Sequence, residues 1–327
     1  MSLDDAKEIS IWMTVSQFRL NVVIMSSKDS VINSLTTSDL LRANLTCLVA
    51  VALFAFTFPA SDILLKDWGV LSVIVFRNIS AFALLLVMWM VSEGLFQTKV
   101  TDWLNGFWIG GIGFGIGSIL MITTIYLTSP VVAALTAAIM PVAGVLMEVL
   151  FDGRKLRRWF ILGFLLVIVG GFLATGVNFS DATFGYGALI GLLGSVLYAW
   201  GSRATVKNLP SLTSLGQTTV TSFGMTVFGL GFYLIALMFG LPGTIIPEVT
   251  NNHIVLILVT GWVSLSISQF LWIKGVGKLG IGIASFHLNG APFFVMIILL
   301  LLGGGWNWQQ AMGALILVIG VVISQKN

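Results

Sequence analysis

His287 is one of two histidines in a chain of 327 residues, and it stands close to Asn289 and five positions before Pro292. An imidazole ordinarily titrates at about pH 6.5, so it could exchange a proton or bind a solute there; it could equally only hydrogen-bond a neighbouring helix. Thr136 stands five positions before Pro141, the same spacing with a second polar side chain. Each proline removes a backbone donor and disturbs the turn before it. If those turns face a cavity, the freed carbonyls can bind solute, although inert membrane helices carry such kinks too. Pro59 has the same standing. Asp62 and Arg77 are ionisable groups set in apolar sequence, where each costs about 2.5–3.5 kcal/mol on membrane insertion. They fall at similar depth and could pair, as a structural ion pair or in gating. Aromatic and amide side chains at Phe58, Tyr198, Trp200, Trp262, Gln269, Trp272 and Phe286 could complete a pocket around His287, Asn289 and Thr136. With very few charges, such a pocket suits a neutral or zwitterionic solute better than a polyanion.

The soluble catalytic signatures G-x-S-x-G, H-E-x-x-H and paired C-x-x-C are absent from the sequence, which argues against an enzyme and implies no cofactor or metal. The single cysteine, Cys47, excludes an intrachain disulfide. No basic cluster is interleaved with aromatics in the way nucleic acid requires. The partners implied are a small-molecule solute and the lipid bilayer, with oligomeric state left open.

The elements that must carry these residues are membrane helices. Charged residues make up 9% of the chain, against about 25% in soluble domains. Runs of about 20 apolar residues recur, and they predict ten spans near 43–65, 70–92, 104–126, 130–150, 158–177, 184–205, 212–240, 253–273, 280–302 and 308–324. With both termini inside, the cytoplasmic segments hold Lys7, Arg19, Lys28, Arg42, Lys99, Arg154, Lys155, Arg157, Arg158, Arg203, Lys207, Lys274, Lys278 and Lys326, and the outer segments only Lys66. That asymmetry is the one cytoplasmic loops impose. Trp68, Trp103, Trp306 and Trp308 fall at span ends, where an interfacial position is expected. Residues 1–41 form a cytoplasmic tail. The stripe Ile11, Val15, Phe18 and Val22 could lie along the membrane surface, but Met25 opens a hydrophilic lead-in that would make residues 1–24 the artefact of an upstream start.

The two halves echo each other. Residues 124–141, ending Ala-Ala-Ile-Met-Pro, align without a gap on residues 275–292, ending Leu-Asn-Gly-Ala-Pro, and Gly163–Gly170 matches Gly313–Gly320. Five spans in each half would invert the second copy, and inverted repeats let one asymmetric closure become its counterpart from the other side. Small residues at Gly110, Gly111, Gly113, Gly115 and Gly117, and at Gly187 and Gly191, predict close helix approach; no strand precedes them, which excludes a dinucleotide fingerprint.

Residues Phe54–Asp62, Phe76-Arg77, the Pro141 and Pro292 segments, the Gly163 and Gly313 segments and Tyr198–Arg203 resemble a ten-helix permease of the EamA type, in the drug/metabolite transporter superfamily, over residues 42–325. The acidic residue that often precedes the repeat proline in that family is replaced here by Met140 and Ala291. The resemblance implies an all-α integral membrane protein of ten helices in two inverted five-helix repeats, 42–178 and 182–327. It implies export of amino-acid-like or amphipathic compounds by alternating access, from the inner (plasma) membrane of a bacterium, and it favours a role for Arg77. An importer of a nutrient such as a sugar, or a non-transporting scaffold or sensor, remains open at this point.

Overall fold

A backbone crossing hydrocarbon must satisfy its polar groups internally, as a helix does. Among the described residues the computed structural model contains helices and no strand. It describes residues 37–95, 97, 101, 103–152, 158–175 and 182–324. The surface-helix stripe and the start at Met25, and the basic residues Lys7, Arg19, Lys28, Lys99, Arg154, Lys155, Arg157 and Lys326, lie outside them. Residues 37–43 are the opening turns of the first helix, and from Asn44 onward the chain forms one compact unit.

The helices are α1 (Thr37–Ala55), α2 (Thr57–Leu64), α3 (Val70–Glu93), α4 (Trp103–Ile109), α5 (Gly117–Leu127), α6 (Pro130–Ala137), α7 (Met140–Asp152), α8 (Arg158–Thr175), α9 (Ala182–Asn208), α10 (Ser214–Met238), α11 (Asn251–Leu258), α12 (Ser268–Ser285), α13 (Ala291–Leu301) and α14 (Trp308–Ser324). A π-helical segment, Gly110–Ile116, joins α4 to α5, and a second, Val259–Ile267, joins α11 to α12. A 3-10 turn, Phe286–Gly290, joins α12 to α13.

Each of the three span prolines lies in the first turn after a break. Pro59 follows the turn at Phe56, Pro141 is the second residue of α7, and Pro292 is the second residue of α13. There the missing N–H costs nothing, because the first-turn donors of a helix have no intrahelical partner. Elsewhere the caps are hydroxyls. Ser129 Oγ accepts from the Val132 N–H before α6, and Thr213 Oγ1 from the Gly216 N–H before α10.

Among the described residues six helical runs are long and apolar enough to cross a membrane by length and composition: 38–64, 70–93, 103–127, 130–151, 214–238 and 251–301. Ten spans are not reached by that criterion. Part of the difference lies in the last run, which is continuous on paper over 51 residues but turns at Gly280, with φ 77° and ψ 161°. Only glycine takes that backbone without strain. α8, α9 and α14 are helical but outside the six, and α14 contains a shorter apolar helix, Trp308–Gly320.

Lipid gives helices no hydrophobic reason to associate, so close backbone approach must hold them. A Cβ on Gly110 would lie 1.8 Å from the Thr221 carbonyl oxygen, and one on Gly113 would lie 2.6 Å from Cα of Gly201. A Cβ on Gly191 would lie 2.5 Å from Thr136 Oγ1. The glycines of the π segment Gly110–Ile116 and Gly191 of α9 are therefore contact surfaces, as their spacing predicts. The same device joins α8 to α14, where a Cβ on Gly170 would meet the Leu317 nitrogen at 2.4 Å and one on Gly320 the Val167 nitrogen at 2.7 Å. In α10 the buried hydroxyls of Thr218, Thr219, Thr221 and Thr226 bond carbonyls four residues back, so these four are buried with their donors satisfied.

Trp306 and Trp308 are exposed and meet edge-on, with ring centroids 5.8 Å apart. Trp68 is a correction. It is buried, edge-on to Phe76 and to His253, because the segment that leads into α11 folds over it: the Gly69 N–H donates to the Ile245 carbonyl at 2.9 Å. His253 Nδ1 accepts from the Thr250 N–H in a capping box, which leaves Nε2 to face the Asp67 carboxylate at 3.6 Å.

Candidate functional site

Two helix breaks, between α6 and α7 and between α12 and α13, border one cavity. Its wall is built by Ala50, Val51 and Phe54 of α1, Met121 of α5, Ala137 and Met140 flanking the α6–α7 break, and Ser195 and Tyr198 of α9. Ser268, Gln269 and Trp272 of α12 and Leu288 of the 3-10 turn complete it. The space is about 30 Å³, room for about two waters. Ala137 and Leu288 stand four positions before Pro141 and Pro292. Their carbonyls therefore lose the N–H that a continuous helix would supply.

Polar side chains on this wall are held in place. Ser195 Oγ donates to the Thr136 carbonyl at 2.7 Å, which fixes α9 against the end of α6. Ser268 Oγ donates to the Ala50 carbonyl at 2.8 Å, tying α12 to α1. Trp272 Nε1 donates to Ser202 Oγ at 3.0 Å. Gln269 Nε2 is buried with no partner.

A second, smaller space of about 10 Å³ lies beyond Tyr198 and Gln269, which wall both cavities. Leu85, Phe114, Thr218, Thr221, Ser222, Met225 and Leu265 complete it. Behind Tyr198 sits a polar chain. Arg77 Nη2 donates to Ser118 Oγ at 2.8 Å, Ser118 Oγ is 2.9 Å from the Tyr198 hydroxyl, and Arg77 Nε donates to Asn78 Oδ1 at 3.2 Å. Arg77 is only 2% exposed and Asn78 is fully buried.

Of the residues expected along the solute path, Tyr198, Gln269 and Trp272 line the main cavity. Phe58, Thr136, Trp200, Phe286, His287 and Asn289 do not line it. Phe58 is fully buried in the core, edge-on to Phe54, which does line it. Thr136 spends its hydroxyl on the Ala133 carbonyl and its own carbonyl on Ser195. His287 Nδ1 lies 3.1 Å from the Ala284 carbonyl, a local bond within its own turn. Asn289 is buried with Oδ1 unpartnered. Trp262 is exposed. The expected Asp62–Arg77 pair does not form, because Asn78 and Ser118 take the guanidinium instead and Asp62 is only partly buried.

Sequence reasoning missed Ala50, Val51, Phe54, Met121, Ala137, Met140, Ser195, Ser268 and Leu288, most of them small or apolar. One signal could have found three of them. The register that sets Pro141 on Pro292 also sets Met121 on Trp272 and Ala137 on Leu288, so aligned pairs from the two halves share the wall.

Among the described residues the chain is a helical bundle with six runs long and apolar enough to cross a membrane, and two of its helix breaks border a cavity. Residues 41–176 match the EamA-like transporter family, within the drug/metabolite transporter superfamily. A crystal structure described only as that of a protein is similar to 87% of this chain over 96% of its own, with a TM-score of 0.65 at 15% identity. At that identity the likeness speaks for the fold alone. No curated protein matches the chain.

Proposed function

We propose that the protein moves a small neutral or zwitterionic metabolite across the membrane by alternating access, exporting amino-acid-like or amphipathic compounds. In this reading ten spans form two inverted repeats, 42–178 and 182–327, with both termini on the cytoplasmic side of a bacterial inner membrane. The observation that carries it is the pairing of helix defects. The register that joins Pro141 to Pro292 makes the last residues of the two π segments, Ile116 and Ile267, equivalent. It also places a break before each proline, and both breaks border the cavity. Discontinuous helices at a repeat interface are where secondary transporters hold their solute.

The test is transport in proteoliposomes against a panel of radiolabelled amino acids, sugars and amphipathic amines, with and without a pH gradient. Wild type should move one class. Ala137→Phe, which fills the space between α6 and α12, should abolish that flux, while His287→Ala should retain it, since His287 bonds only within its own turn. A wild-type protein that moves nothing on the panel would favour a scaffold or sensor, and a strict requirement for a multivalent anion would overturn the solute class.

A further inference from the structure

We propose that the solute carries a carboxylate, and that this carboxylate docks at the wall shared by the two cavities, with Arg77 as its counter-charge. The inference rests on the transport reading above and names the group by which the solute is held. Arg77 is buried to 2% exposure within α3, and among the described residues it has no carboxylate at ion-pair distance. Its partners are the neutral oxygens of Ser118 and Asn78. A buried cation without a counter-ion is costly in a membrane and marks a functional position.

Two of the polar groups on the cavity walls have no hydrogen-bond partner, and a third is linked to that cation. Ser222 is 4% exposed, and its hydroxyl, on the wall of the smaller cavity, has no partner. Gln269 Nε2, on the wall of both cavities, has none either. The Tyr198 hydroxyl, also on both walls, reaches the guanidinium through Ser118 by two hydrogen bonds. No acidic residue lines either space.

Leaving buried donors unmade is expensive, and a site built to bond a group rejects the analogue that lacks it. A carboxylate supplies both missing features, lone pairs for the Ser222 and Gln269 donors and a negative charge linked to Arg77 through Tyr198 and Ser118. An ammonium group would be repelled by Arg77 and would leave those donors unpaired. The amine of a zwitterion therefore points toward the apolar and carbonyl-bearing part of the main cavity, near Ala137 and Leu288.

The experiment compares each acid with its primary amide, phenylalanine with phenylalaninamide and leucine with leucinamide, within the same proteoliposome panel. The expected result is a preference of wild type for the acids by about tenfold or more. Arg77→Gln should remove that preference and Arg77→Lys should keep part of it. Ser222→Ala and Gln269→Leu, which leave the buried cation in place, should raise KM for the acids several-fold more than for the amides and so narrow the preference. If wild type moves amides as fast as acids, or if Ser222→Ala and Gln269→Leu leave the preference intact, the carboxylate proposal is overturned while the transport reading stands. If wild type moves no member of the panel, sugars and amines included, both fall.

Discussion

Single atoms decide much of this structure, and the glycines show where. Gly110→Ala would set a methyl 1.8 Å from the Thr221 carbonyl oxygen, and Gly261→Ala one 2.0 Å from Ser80 Oγ, whereas Gly277→Ala meets nothing within 4 Å. The first two should each cost about 1–3 kcal/mol through forced helix separation, and the third should cost nothing, as read from thermal unfolding of the detergent-solubilised protein. His253→Ala removes one side of a capping box and the group facing Asp67. Its expected cost is about 1 kcal/mol, measurable in the same assay. At this scale the sequence was an uneven guide. Tyr198, Gln269 and Trp272 are legible because a transport cavity needs aromatic and amide groups. Ala50, Ala137 and Leu288 are not, since their contribution is shape or backbone, and nothing in an alanine or leucine says which face it occupies. His287 attracted attention by rarity, yet a short turn let its ring bond the Ala284 carbonyl.

The helices are defined as much by where they stop as by where they run. α6 and α7, and α12 and α13, are separated by short turns that end at a proline, and both turns border the cavity. Pro141→Ala or Pro292→Ala would restore an N–H and let the helix run through. The expected outcome is a protein of equal or higher thermal stability with a transport rate lowered several-fold, because a straightened helix cannot close the two sides in turn. Gly280→Ala acts the other way. At φ 77° it should destabilise by about 1 kcal/mol or more, seen as a lower unfolding temperature. The prolines could be read from the sequence as breaks because an imino acid has one structural meaning. The π segments could not. A run of glycines predicts close packing equally well for an α or a π winding, and only the contacts with Thr221, Phe228 and Gly201 fix which one forms.

Across the whole molecule the basic residues other than Lys66 and Arg77 lie on one side in the proposed topology, and the lone cysteine makes that testable. Cys47 is buried, with its sulfur close to where a Cβ on Gly275 would fall, so Cys47→Ser gives a cysteine-free background. In it, Lys66→Cys should react with an impermeant maleimide in intact cells, and Lys278→Cys only after the membrane is opened. The reverse pattern would invert the topology. The helical, membrane-embedded character was legible from composition because 9% charge leaves too little polar surface for water. The count of spans was less so, because apolar length alone merges 251–301 into one run and a single glycine divides it.

The paired π segments give the bundle a means of motion that needs no sliding of whole helices. A π turn holds one residue more than the α turn it replaces. If that surplus passes one turn along, the residues it crosses rotate by about 100° about the helix axis while both ends stay where they are. Met121 and Trp272 each follow such a segment and face the cavity. A travelling wrinkle in either strand of the bundle would turn one of them out of the wall and leave the other in place, so the two halves would work as alternating cams and not as hinged doors.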